Sequence, residues 1–264
     1  VSTTHEIPSR HVPNLRDVGG WPTTSGSTLR RGALLRSAAL SDPGAASDPA
    51  IEGLHLGVVV DMRTAHEAAS RPDHVPPGVR LVPVDILSGT VGSAASLPAA
   101  LAEGTTSPDE FLANLDARAL MRHTYEQFVG EAPARAGFAE VVRTVLGAGG
   151  EPVLLHCTAG KDRTGWAVAV LMTIAGATPE AVTREYLAVA PAVHALFADD
   201  LQRATQAGLD ADRLRPLLDV DADYLRAALD RVDADFGDFD GYLHEGLGLG
   251  DAELEGVRAV LVDH

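Results

Sequence analysis

The chain is 264 residues long, with 45% hydrophobic and 22% charged residues, enough to bury a full core. Its 21 Lys and Arg against 37 Asp and Glu give a net charge of −16, which repels nucleic acid and anionic membrane surfaces, so an anionic ligand needs a local positive site. One cysteine excludes an intramolecular disulfide and a cysteine-rich metal site, the ten histidines form neither HExxH nor HxH, and no apolar run reaches the ~18 residues of a membrane span.

Residues 1–13 are polar, carry Pro8 and Pro13, and are expected to run extended. The opening VSTTHEIPSR has no basic segment leading into an apolar core, so the expected location is cytoplasmic. NLRDVGG at 14–20 predicts a turn into a hairpin with 28–31 as the returning strand and 33–36 close behind; Arg16 and Asp17 read as a local salt bridge. Ser41, Asp42 and Pro43 give a start signal for a short helix over 47–56, which Gly57 ends. The unbroken β-branched run at 58–60, continuing to Arg63, predicts a buried strand, with Asp61 and Arg63 as a structural ion pair. Thr64 followed by Glu67 is a capping box at a helix entry.

Residues 78–83 form the next expected strand, and Asp85 follows it at the mouth of an insertion, where a general acid can sit. Residues 88–107 are rich in Gly, Ala, Ser and Thr; from Pro108 to Phe128 an apolar stripe at helical spacing includes Met121, Tyr125 and Phe128. This insertion, at about 88–130, is either core packing or a mobile lid over the site. An amphipathic helix at 138–146 ends in glycines and delivers the chain to VLLHCTAGKDRTG, residues 153–165. After an apolar helix over 165–175, further helices are expected from Thr178 and Pro179 to about 190, then at 192–207, 210–218, 222–236 and 251–262, with a turn at 237–241. The whole reads as one α/β domain: a central sheet of four or five mainly parallel strands flanked by helices, with a helical C-terminal third.

The stretch at 153–165 organises the rest. An apolar strand runs into Cys157, then a small-residue loop, then a helix, so successive amides of residues 158–163 can surround an anion at the positive end of the helix dipole. A thiolate is favoured there and is a strong nucleophile. Arg163, six residues after Cys157, supplies a planar fork for two phosphate oxygens; Thr164 is placed to donate to sulfur, and Gly160 relieves a tight turn. Thr158, Ala159, Gly160, Lys161 and Thr164 are the expected substrate-binding residues. A Walker loop is excluded, because Leu155 and Asp162 stand where it needs Gly and Ser or Thr.

HCTAGKDRTG resembles the HC-x5-R-[ST] loop of cysteine-dependent protein tyrosine phosphatases, and its AGKDRTG form is most similar to the mycobacterial protein tyrosine phosphatase B group. The likeness extends through NLRDVGG, LLRSAAL, VVVDMRTAHE and YLRAALDRVDADFGDFDGYL. It implies a phosphatase acting on phosphotyrosine, and on phosphoserine, phosphothreonine and phosphoinositides, through a cysteinyl-phosphate and without a cofactor. It also implies that the NLRDVGG stretch and Arg36 with Ser37 lie near the loop. It supports Asp85 as the acid and, separately, a catalytic or water-positioning Asp162, whose other reading is a carboxylate orienting Arg163 or Lys161. His156 is expected to favour the thiolate indirectly, and Lys161 to serve a second phosphate. Rival readings are a non-catalytic phosphate-binding module and a sulfurtransferase or arsenate reductase; the oligomeric state stays open.

Overall fold

The computed structural model describes residues 5–87, 116–206 and 210–263. A five-stranded sheet runs in the order β1-β2-β5-β3-β4, formed by β1 (Arg16–Asp17), β2 (Leu34–Ser37), β3 (Val58–Asp61), β4 (Arg80–Pro83) and β5 (Val153–His156). All neighbours are parallel except β1 and β2. Strand β5 is central and wholly buried, as its continuous apolar run requires when both faces are covered. At the edge, β4 is largely exposed and ends in Pro83, which blunts further pairing.

The period of two assigns alternate side chains to two cores. Leu34, Val58, Val60, Val153 and Leu155 face the larger helical layer. Leu35, Val59 and Leu154 face a smaller one made by Val12, Leu15, Leu40 and Ile51 of the short helix α1 (Pro49–Glu52). The larger layer is built around α5 (Asp162–Ile174), apolar on nearly every side and buried along most of its length. Around it lie α3 (Ala117–Gly130), α4 (Ala132–Gly147), α6 (Pro179–Leu187), α9 (Ala222–Phe236) and α10 (Asp251–Leu261). Helix α2 (Ala65–Ser70) follows β3, and α7 (Ala190–Gln206) packs with α8 (Ala211–Leu218).

Three local expectations change. Residues 28–31 form no strand: Thr28 bridges Pro22, Leu29 bridges Val262, and Arg30 N–H donates to Leu261 O, while Arg16 and Asp17 pair instead with Arg36 and Leu35. A short hairpin does form, since Gly20 N–H donates to Leu29 O and Leu29 N–H to Trp21 O, but beyond it Leu29 and Arg30 pair with residues 261–262, which no local pattern announces. The helix expected over 47–56 is a 3-10 turn at Ala45–Ser47 and then α1, because Asp48 caps the helix at Ala50 N–H with Pro49 at its first position and Gly53 at its end. The turn expected at 237–241 is a helical turn, Phe239–Gly241, capped by Asp238 and continuing into a π-helix, Tyr242–Gly246. Of the insertion, α3 starts at Ala117 under an Asp116 cap and buries Met121, Tyr125, Phe128 and Val129; residues 88–115 lie outside the described residues.

Candidate active site

The parallel register aligns Ser37, His156 and Asp61 at the carboxyl ends of β2, β5 and β3, where open α/β sheets place their ligands. The chain leaves β5 at Cys157, and α5 begins at Asp162, so Asp162 and Arg163 belong to the first helical turn rather than to the loop before it. Cys157 is 3% exposed.

The shape of the loop is imposed from behind. Ala39 N–H donates to Thr158 O (3.2 Å), Asn14 Nδ2 to Ala159 O (3.1 Å) and Gly160 O (3.2 Å), and Arg36 Nη2 to Gly160 O (2.7 Å). In a planar trans peptide the N–H points opposite to the C=O, so tying these carbonyls toward the sheet turns amides the other way, toward the cavity. Gly160 has φ +66°, and a Cβ there would stand 2.1 Å from Ser37 O, so no other residue fits without moving β2. Asn14, itself at φ 57°, and Arg36 thus secure the loop, as the resemblance implied for these stretches. Arg36 is fully buried; burial pulls its guanidinium below the ordinary value, while Glu185 at 3.5 Å opposes that. Glu185 also accepts from Trp21 Nε1 (2.9 Å) and lies 3.8 Å from Arg16, so Arg16 belongs to this buried group rather than to a local salt bridge.

On the cavity side Arg163 meets Glu67. Nη1 and Nη2 donate to Oε2 (2.7 Å) and Oε1 (2.8 Å), and the same two nitrogens reach Met62 O and Thr158 Oγ1, each at 3.3 Å. Burial works against both charges, yet the pair prevails: Glu67 is lowered to about 2 and Arg163 is raised. Glu67 Oε2 also accepts from Thr64 N–H, completing the capping box, so the residue that starts α2 also holds Arg163. Sequence reasoning saw the cap and missed the second role.

Lys161 is 2% exposed, and its Nζ donates to Leu217 O (2.7 Å) and Asp219 O (2.9 Å) at the end of α8, lying 3.5 Å from Asp162 Oδ2. Asp162 Oδ1 accepts from Tyr125 Oη (3.0 Å). Thr164 is fully buried, but its hydroxyl has no hydrogen-bond partner, so the expected donation to sulfur is not made here. His156 lies beneath, with Nδ1 3.2 Å from Cys157 O and Nε2 3.1 Å from Asp73 Oδ2, off the line of a good hydrogen bond. The Asp61–Arg63 pair is present: Nε and Nη2 each lie 2.8 Å from Asp61, and Nη2 lies 2.7 Å from Asp73. Asp61, Asp73 and His156 have the spacing of metal ligands, but the Arg63 guanidinium supplies the cation among them.

A cavity of about 210 Å³ joins Glu67, Cys157, Thr158, Ala159, Lys161, Asp162 and Arg163 to apolar walls from Leu87, Met121, Phe128, Phe197 and Leu217. Asp85 does not line it: Asp85 Oδ2 accepts from Ala65 N–H (3.3 Å) and Oδ1 from Leu87 N–H (3.0 Å), so the carboxylate ties the start of α2 to the residues after β4. A larger groove, about 690 Å³, runs along residues 6–15 and α7, and Cys157 does not line it.

Residues 7–263 match the tyrosine phosphatase family. The chain is 30% identical over 260 residues, 97% of its length and 89% of the relative, to the "Putative tyrosine-protein phosphatase" of Cupriavidus necator strain H16. It is 31% identical over 229 residues, 77% of its length and 81% of the relative, to the triple specificity protein phosphatase PtpB of Mycobacterium tuberculosis. A buried thiol just after β5, an arginine in the first turn of the next helix, and two relatives matched across most of their length agree: the chain belongs to the tyrosine phosphatase family.

Proposed function

We propose that this chain hydrolyses phosphate monoesters through a phosphocysteine, with phosphotyrosine as the preferred substrate class. The observation that carries the reading is the loop of residues 157–161, its carbonyls held back by Ala39, Asn14 and Arg36 and its cysteine at the base of the cavity. The Cys157 thiolate attacks phosphorus in line; the P–O bond to the leaving group breaks, and that oxygen takes a proton from Asp162. Water then attacks the phosphocysteine, returns a proton to Asp162, and frees phosphate and the thiolate. Arg163 and the amides of Thr158 to Arg163 hold the equatorial oxygens as charge builds on them. Asp162 takes the acid role in this reading because it lines the cavity, which Asp85 does not.

The apolar walls fit an aryl ring beside the phosphate. A second reading, activity on phosphoserine, phosphothreonine and phosphoinositides, draws on Lys161 in the cavity lining and on the name of the mycobacterial relative. A second phosphate must compete for Lys161 with the Leu217 and Asp219 carbonyls, which is why we place this reading after the first. We take 1–264 as one phosphatase domain in which the 88–130 insertion contributes cover through Met121, Thr124 and Phe128. No helix among the described residues is long and apolar enough to cross a membrane; we take the enzyme as cytoplasmic.

Cys157→Ser is expected to keep phosphate binding and lose turnover of p-nitrophenyl phosphate by at least about a thousandfold, since an alkoxide is much harder to generate than a thiolate. Residual turnover near the parent rate removes the covalent mechanism, and a parent that binds phosphate without turnover supports a binding module.

A further inference from the structure

Behind Asp162 stand two tyrosines that neither shape the loop nor line the cavity. Tyr186 Oη on α6 donates to Tyr125 Oη on α3 (2.8 Å), and Tyr125 donates to Asp162 Oδ1 (3.0 Å) at the first position of α5. Tyr125 is 0% exposed and Tyr186 2%. Burial first, and then the charge of Asp162, push both phenols well above the ordinary tyrosine value, so each keeps its one proton.

A carboxylate only accepts and each phenol has a single proton to give, so the chain has one direction: Tyr186 to Tyr125 to Asp162. It also survives the proton cycle. When Asp162 is neutral with its proton on Oδ2, Oδ1 is the carbonyl oxygen and still accepts from Tyr125. We propose that Tyr125, with Tyr186 behind it, is a positioning pair for Asp162, holding Oδ1 so that Oδ2 carries the transferable proton. Oδ2 is the oxygen 3.5 Å from Lys161 Nζ. In the first step the proton moves from Oδ2 to the leaving oxygen, in the second from water to Oδ2, and the phenols give up none. The proposal rests on the reading of Asp162 as the acid.

The test is kcat/KM on phenyl phosphate and on p-nitrophenyl phosphate for the parent, Tyr125→Phe, Tyr186→Phe, Asp162→Asn and the Tyr125→Phe/Asp162→Asn double variant. A misplaced acid hurts the poorer leaving group, so Tyr125→Phe is expected to lose about tenfold on phenyl phosphate and less than about threefold on p-nitrophenyl phosphate. Tyr186→Phe, one link removed, follows with the same sign and a smaller size, and carries the test if Tyr125→Phe does not fold. The double variant is expected to fall no further than Asp162→Asn, because the pair acts through that carboxylate. Equal losses on both esters in the tyrosine variants, or an additive double variant, overturn the proposal while leaving Asp162 as the acid. Equal losses on both esters in Asp162→Asn overturn the acid reading and the proposal with it.

Discussion

The two sides of the 157–161 loop use the same chemistry to opposite ends. Behind it, Arg36 and Glu185 are fully buried and, with Asn14 and Trp21, are spent on protein groups. In front, Arg163 is paired with Glu67, whose side chain is 24% exposed and borders the cavity. An arginine enclosed among fixed acceptors acts as a strut, whereas one whose acceptor faces a cavity can exchange part of that pairing for a phosphate. The difference lies in enclosure, not in residue type. Variants on the two sides are therefore expected to fail differently.

The largest effect is expected behind the loop. Arg36→Met leaves Glu185 buried without its closest cation and the Gly160 carbonyl without its shortest donor, a change of about 3–5 kcal/mol for breaking a buried pair. Denaturant unfolding is expected to show that loss, with kcat falling as the loop loosens; unchanged stability together with a large loss of kcat would assign Arg36 to the chemistry and erase the contrast. Next comes Arg163→Lys. It keeps the charge and loses the planar fork, so kcat is expected to fall at least about a hundredfold, the scale of one lost transition-state donor. The two variants together sharpen the comparison, one read mainly in stability and the other mainly in rate.

How much of this the sequence disclosed follows from the range of the interactions. Strands β3, β4 and β5 and helices α5, α6 and α9 were legible because each carries its own pattern: an apolar run, a Thr-Pro start, an amphipathic stripe. The loop was legible because Cys157, Gly160 and Arg163 stand within seven residues. The partners that shape it were harder to read. Asn14 and Arg36 lie more than a hundred residues before it, and only the resemblance pointed to their stretches. Glu67 already had a sufficient local explanation as the third residue of a capping box, which hid its contact with an arginine 96 residues away. Lys161 illustrates the converse. As a sequence it reads as a spare cation beside an anion site, and the structure commits it to the end of α8.

The smallest expected effect tests whether the front-side pair also holds the fold, and its signature is pH dependence. Glu67 is lowered from an ordinary 4.5 to about 2: burial alone would raise it, and Arg163 first, then Thr158 and the Thr64 amide, outweigh that. A carboxyl lower in the folded chain than in the unfolded one stabilises the fold fully above its unfolded value, near 4.5, and the contribution is lost as pH falls through about 2. Arg163, raised further by the same pair, stays charged throughout that window, so of the two partners only Glu67 titrates in it. Glu67→Gln is therefore expected to be less stable than the parent at neutral pH, by on the order of 2 kcal/mol once screening of a partly exposed carboxylate is allowed for. The gap should close between about pH 4.5 and 2. Other carboxyls lowered in the fold, such as Asp48 and Asp73, titrate alike in both proteins and cancel in the difference. Unfolding free energies of parent and variant measured across that range decide it: a gap that stays constant with pH would mean that Glu67 acts through packing and its cap on α2, and that the ion pair in front of the loop adds nothing to stability.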